Sequence, residues 1–170
     1  TVTLVRELIE VPTVKFSMIE QGNQKIGYLR IIEFTPQTAE RVQAAIDSFK
    51  KSNFTGMIVD LRNNPGGLIT SVADVADKFI DDGVIVTTKS RLASENTVFT
   101  ASKAKTTVPQ GTPIVVLINK GSASASEILG GALKDKHLAY LVGERTYGKG
   151  SVQQVIPLYN SDGIKLTMAR

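Results

Sequence analysis

The chain has 170 residues, 42% of them hydrophobic and 21% charged, with a formal net charge of +4, one histidine and no cysteine. That is one domain's worth of length and the composition of a globular chain rather than a disordered one. It excludes a thiol nucleophile, a zinc–thiolate site and a disulfide framework. A Ser-His-Asp triad or a multi-histidine metal site would have to rest on His137 alone. No run approaches the roughly 18 apolar residues of a membrane span. The basic residues are scattered (Lys50, Lys51, Lys103, Lys105, Lys134, Lys136) and aromatics are few, so nucleic acid is not an expected partner.

Residues 1–5 alternate like a strand, and 164–170 alternate to the end without a polar tail. The chain therefore reads as part of a longer protein, with no basic-then-apolar signal pattern at its start. Residues 12–20 and 26–34 read as strands. Thr35 as N-cap and Pro36 at the first helical position predict a helix to about Ser52, burying Val42, Ala45, Ile46 and Phe49. Residues 56–61 suit a buried strand, and Asn63-Asn-Pro-Gly-Gly67 must turn. A second helix carries Leu68, Val72, Val75, Ala76 and Phe79 on one face and ends at Asp82-Gly83. Two strands follow over 84–100, then the most apolar strand (113–119) and a helix over 124–136 with His137 at its solvated end. A short strand over 139–142 and a hairpin of 151–158 with 164–168 around residues 160–163 complete the chain. Strand–helix–strand units in series predict an α/β fold with parallel strands and some antiparallel ones at its ends.

Three segments could carry chemistry. Asp60-Leu-Arg-Asn-Asn-Pro-Gly-Gly67 joins a strand to a helix, and its paired glycines can present bare N–H groups to a ligand or serve turn geometry alone. Asn119-Lys-Gly-Ser-Ala-Ser-Ala-Ser-Glu127 sets Ser122, Ser124 and Ser126 around a helix start, where an oxyanion would be stabilised. Ser124 with Glu127 equally matches a capping box. Gly143-Glu-Arg-Thr-Tyr-Gly-Lys-Gly-Ser151 resembles a phosphate-binding loop but has Gly150 where a hydroxyl is needed and a strand where a helix should follow. Without a usable histidine or cysteine, a hydrolase can still activate serine with lysine. A free lysine titrates near ~10.4, and about 4 kcal/mol of differential interaction, of the size burial supplies, would bring it to neutrality. Lys149 suits this role, with Gly148 and Gly150 allowing close packing, Tyr147 and Val152 offering apolar cover, and Gln153 able to orient a neutral amine.

At these segments the sequence closely resembles the carboxyl-terminal processing (tail-specific) proteases, serine peptidases with a Ser/Lys dyad, over roughly residues 12–170. The resemblance implies Ser124 as nucleophile, Lys149 as general base, Gln153 as the amide orienting it, and the N–H groups of Gly67 and Ala125 as oxyanion hole. It implies a crotonase-like/Clp-like α/β core with a mixed sheet and crossover helices, here over 13–170 and truncated at its C-terminus. Residues 1–12 would be the remnant of a PDZ domain's final strand and its linker. No cofactor or metal is implied. The expected partners are protein or peptide substrates with apolar C-termini and the PDZ domain of the full-length chain, with a homo-oligomer open, and the expected location is extracytoplasmic, in the bacterial periplasm or envelope. The rival reading is a non-catalytic ligand- or peptide-binding domain on the same fold.

Overall fold

The computed structural model describes residues 2, 5, 11–159 and 162–170. The expected PDZ remnant over 1–12 and the middle of the hairpin turn lie largely outside these residues. The described chain forms, in order, β1 (Val14–Gln21), β2 (Gln24–Ile31), α1 (Thr38–Lys51), β3 (Gly56–Asp60), α2 (Ile69–Ala76), β4 (Val84–Thr88), β5 (Thr97–Thr100), β6 (Ile114–Ile118), α3 (Ala125–Asp135), β7 (Tyr140–Gly143), β8 (Val152–Pro157) and β9 (Gly163–Ala169). No helix among the described residues is long and apolar enough to cross a membrane.

The main sheet has the order β1-β2-β3-β6-β7. β1 and β2 form an antiparallel hairpin, while β2–β3, β3–β6 and β6–β7 pair in parallel. The two smaller ribbons, β4–β5 and β8–β9, are antiparallel. This is the mixed α/β architecture expected from the strand–helix alternation.

The strand register explains the core. Leu29, Val59 and Val116 pair across the sheet and are fully buried. They belong to one cluster with Val42, Ile46 and Phe49 of α1, Val72 and Val75 of α2, and Leu129 and Leu133 of α3. Strand side chains alternate, so the opposite row falls on the other face. There Tyr28, Ile58 and Val115 are half-buried, and Tyr140 is 81% exposed. Gly27 has no side chain because the ring of Phe49 occupies that space: a Cβ there would lie 2.6 Å from Phe49 Cδ2.

Two helix boundaries differ from expectation. α1 starts at Thr38, not at the Thr35-Pro36 pair. Thr38 Oγ1 is buried, accepts the Thr35 N–H (2.9 Å) and donates to the Glu33 carbonyl (2.9 Å), so residues 35–37 form a turn ahead of the helix. α2 ends at Ala76 rather than near Asp82. The buried Asp77 takes the Ser102 N–H (2.6 Å) and the Lys105 ammonium (3.2 Å), and this tertiary contact ends the helical run.

Candidate active site

β3 and β6 lie side by side in parallel, so the loops at their carboxyl ends meet, as ligand-binding loops do in open α/β sheets. The first loop is shaped by its own side chains. Asp60 Oδ1 accepts the Arg62 N–H (3.0 Å), and Asn64 Oδ1 accepts the Gly66 N–H (2.9 Å), two successive Asx turns. Asp60 is fully buried yet ionised. Burial pushes its carboxyl up, but the Arg62 guanidinium (2.9 and 2.7 Å), the Tyr28 hydroxyl (2.6 Å) and the Arg62 N–H more than offset this, leaving the pKa at about 2. Gly66 and Gly67 then take φ of 107° and 140°. Phe34 donates to the Gly66 carbonyl (2.9 Å) and accepts from the Leu68 N–H (2.8 Å), so the Gly67 N–H between them is left without an acceptor among the described residues.

The second loop carries the three serines, and the structure separates them. Ser122 Oγ donates to the Leu61 carbonyl (2.7 Å) and accepts the Asn119 N–H (3.0 Å). Ser126 Oγ donates to the Asn64 carbonyl (3.0 Å). Both are fully buried and tie this loop to the first. Ser124 is half-buried and stands in a capping box with Glu127, but its hydroxyl donates to no group among the described residues. The Glu127 N–H reaches the Ser124 carbonyl (2.9 Å). Ser124 has φ 55° and ψ −114°, a strained combination for a residue with a side chain. A sharp strand-to-helix turn of this kind lifts a hydroxyl clear of the sheet. Gly66 makes room for it: a Cβ at Gly66 would lie 2.8 Å from Ser124 Cβ. The Ala125 N–H, first in α3, also lacks an acceptor among the described residues.

Glu127 connects this turn to the third segment. Its carboxylate accepts the Ser124 N–H (2.8 Å), the Thr146 hydroxyl (2.7 Å), the Gly148 N–H (2.6 Å) and the Lys149 N–H (2.9 Å). Burial raises its pKa, and the Thr146 hydroxyl and three backbone donors outweigh that, so it is held below the usual carboxylate range. Residues 144–151 are loop and β8 follows them, so no helix begins at the end of this glycine-rich stretch, as the imperfect phosphate-loop match anticipated.

A cavity of about 530 Å³ is lined by Ser124, Ala125, Gly67, Lys149 and Gln153. All five residues singled out from the sequence therefore share one space. It holds a hydroxyl, two unpaired backbone N–H groups, a primary amine and an amide, the set that acyl transfer through serine requires. Leu68, Ile69, Val86 and Ile128 add apolar wall. No hydrogen bond joins Ser124 Oγ to Lys149 Nζ; the Ser124 hydroxyl donates to no group, and the Lys149 ammonium has no partner, among the described residues. Gln153 Nε2 donates to Thr167 Oγ1 (3.4 Å), leaving its amide oxygen open.

The surroundings of Lys149 differ from expectation. The side chain is half-exposed rather than enclosed, and Tyr147 is 72% exposed and outside the cavity lining, though Val152 does line it. Nothing lies within 4 Å of a Cβ built at Gly148 or Gly150, so these glycines serve no close packing; Gly148 instead supplies a φ of 86°. Nothing in the residue spacing announces the contacts of Asp60 and Arg62. Only the capping-box spacing pointed to Glu127, and it gave no hint of the contact with residues 146–149.

The chain is also similar to known proteins. The model of peptidase family S41 matches residues 25–170. The chain is 42% identical over 172 residues to a carboxy-terminal-processing protease of Bartonella bacilliformis, covering 99% of this chain and 38% of the relative. It is 39% identical over 169 residues to a carboxyl-terminal-processing protease of Synechocystis sp., covering 99% and 39%. Among solved structures, photosystem II D1 C-terminal processing protease superposes with a TM-score of 0.78 at 33% identity, over 95% of this chain and 44% of that one. The chain thus spans about two fifths of the length of these relatives. The chain belongs to peptidase family S41.

Proposed function

We propose that the chain is the catalytic core of a serine endopeptidase that cuts protein chains near apolar C-terminal tails. The observation that carries this reading is the separation of the serines: Ser122 and Ser126 donate their hydroxyls to buried carbonyls, Ser124 donates its own to none, and Ser124 lines the cavity that Lys149 also lines. Lys149 Nζ, swung toward Ser124, takes the hydroxyl proton as Oγ attacks the peptide carbonyl carbon. The oxyanion is received by the Gly67 and Ala125 N–H groups at the positive end of α3. As the C–N bond breaks, the lysine returns the proton to the leaving amine. A water deprotonated by the same lysine then releases the acyl group and regenerates Ser124. Gln153 orients the amine through its free amide oxygen.

Within the whole protein, a preceding PDZ domain would gate this core, a reading supported by resemblance and by the greater length of the relatives. An extracytoplasmic or lumenal location is supported by relatives named as bacterial and chloroplastic processing peptidases. The test is degradation of an unfolded protein with an apolar C-terminus. Ser124→Ala and Lys149→Ala each abolish cleavage while preserving the circular dichroism spectrum. Undiminished cleavage by either variant overturns the assignment.

A further inference from the structure

The cavity carries charge mainly of one sign. Its charged lining residues are Glu33, Lys149, Lys165 and Arg170, three cations to one carboxylate. The reaction uses Lys149 and gives the other two no role. Lys165 lies in β9 opposite Val155, and Thr167, two residues on and so on the same ribbon face, lies opposite Gln153. Lys165 therefore stands about 7 Å along the ribbon from the row that holds Gln153, one same-face step of an extended peptide. Its side chain is exposed, and its ammonium has no hydrogen bond or ion pair among the described residues. The ribbon is fixed at its other end, five residues beyond Lys165, where Lys89 and Arg170 exchange both backbone hydrogen bonds (2.7 and 2.9 Å).

An ammonium without a counter-ion on a concave wall concentrates anions there. The ligand expected in this cavity is a peptide, which offers carboxylates and no other common anion. We propose that Lys165 binds a carboxylate of the bound peptide and so sets a charge preference beside the scissile bond. This rests on the peptidase reading for the identity of the ligand. The carboxylate has two sources, an Asp or Glu side chain and the terminal carboxylate of the peptide itself, and an ammonium, as a point charge with rotatable donors, accepts either.

The test is direct binding in the Ser124→Ala background, where nothing is turned over, with fluorescent peptides of one unstructured sequence in three forms. One ends in a free carboxylate, one in an amide, and one in an amide with a single internal Gln replaced by Glu. Lys165→Gln weakens binding of an acid-bearing peptide about tenfold and leaves the neutral amide unchanged, and Lys165→Arg restores it. Added salt erodes the preference of the lysine form. Loss confined to the free-acid arm assigns the terminal carboxylate, loss confined to the Glu arm assigns the side chain, and loss in both assigns carboxylates generally. Equal loss for all three peptides, no loss for any, or no binding by any overturns the proposal. A chain with the native serine that fails to cleave, beside a charge preference that Lys165→Gln abolishes, sinks the peptidase reading and leaves the carboxylate site standing.

Discussion

One oxygen of Glu127 is shared between the backbones of Ser124 and Lys149: Oε2 accepts the first N–H at 2.8 Å and the second at 2.9 Å. The proposed nucleophile and base lie 25 residues apart, on different loops, and this carboxylate, together with the Tyr147 N–H donated to the Ser122 carbonyl (3.0 Å), ties one backbone to the other. Glu127→Gln replaces one acceptor oxygen by an NH2 group facing N–H donors. Charge-assisted hydrogen bonds are worth about 1.5–3 kcal/mol, and a loss of that size is expected in urea unfolding. Misplacing catalytic groups by about 1 Å costs about 100-fold, so kcat/KM should fall at least that far. Retention of full activity by the Gln variant would show that the shared oxygen does not position the dyad.

The three serines give a sharper comparison. Ser122→Ala strips a partner from the buried Leu61 carbonyl and Asn119 N–H, and Ser126→Ala does so for the Asn64 carbonyl. Each should lower stability by about 1–3 kcal/mol. Ser124→Ala removes no such bond and should unfold at the native denaturant midpoint, within about 0.5 kcal/mol, while losing all cleavage. Equal destabilisation by all three substitutions would mean that the Ser124 hydroxyl is structural after all.

Acid should unfold the chain in a defined window. The folded-state pKa of Asp60, about 2, lies below its ordinary value of 3.8. A depressed carboxylate contributes stability that is complete above the unfolded pKa and is lost as pH falls through the folded one, here between about 4 and 2, and worth roughly 2 kcal/mol. Glu127, also depressed, adds to the loss with the same sign. Asp60→Asn should be about 3 kcal/mol less stable at neutral pH, because Arg62 and Tyr28 lose their shared acceptor, and its stability should change less across that window. Denaturant titrations at a series of pH values check both statements. An unchanged acid slope in the Asn variant would refute the assignment to Asp60.

Much of this was legible in the residues, for local reasons. Alternation and helical spacing marked the strands and helices because each buries one face, and Gly66-Gly67 and Ser124 marked the two loops because glycine pairs and cap residues have few other uses. What escaped was settled by particular side-chain hydrogen bonds, some within a few residues and some across the fold. The Thr35-Pro36 signal was locally sound, but the buried Thr38 hydroxyl bridging Thr35 and Glu33 moved the helix start. The spacing of Ser124 and Glu127 reads as a cap in isolation. Only the fold, by bringing residues 146–149 against α3, turns that cap into a junction. Burial around Lys149 cannot be told from its neighbours in sequence, because the loop leaves Tyr147 facing out.

The backbone of Ser124 provides the last test. At φ 55° and ψ −114° it occupies a region in which side-chain-bearing residues store about 1–3 kcal/mol of strain. Glycine has no such penalty there, although its greater freedom in the unfolded chain costs about 0.5–1 kcal/mol. Ser124→Gly should therefore raise stability by about 1 kcal/mol over Ser124→Ala, with both inactive. The turn is held by Glu127 on the Ser124 N–H and by the two flanking serines, so the gain should shrink when Ser122 or Ser126 is also replaced and the turn can relax. Urea unfolding of the Gly and Ala variants, each with and without Ser126→Ala, measures that coupling. A Gly variant less stable than the Ala variant would mean that the strain at the nucleophile turn is absent from the folded chain.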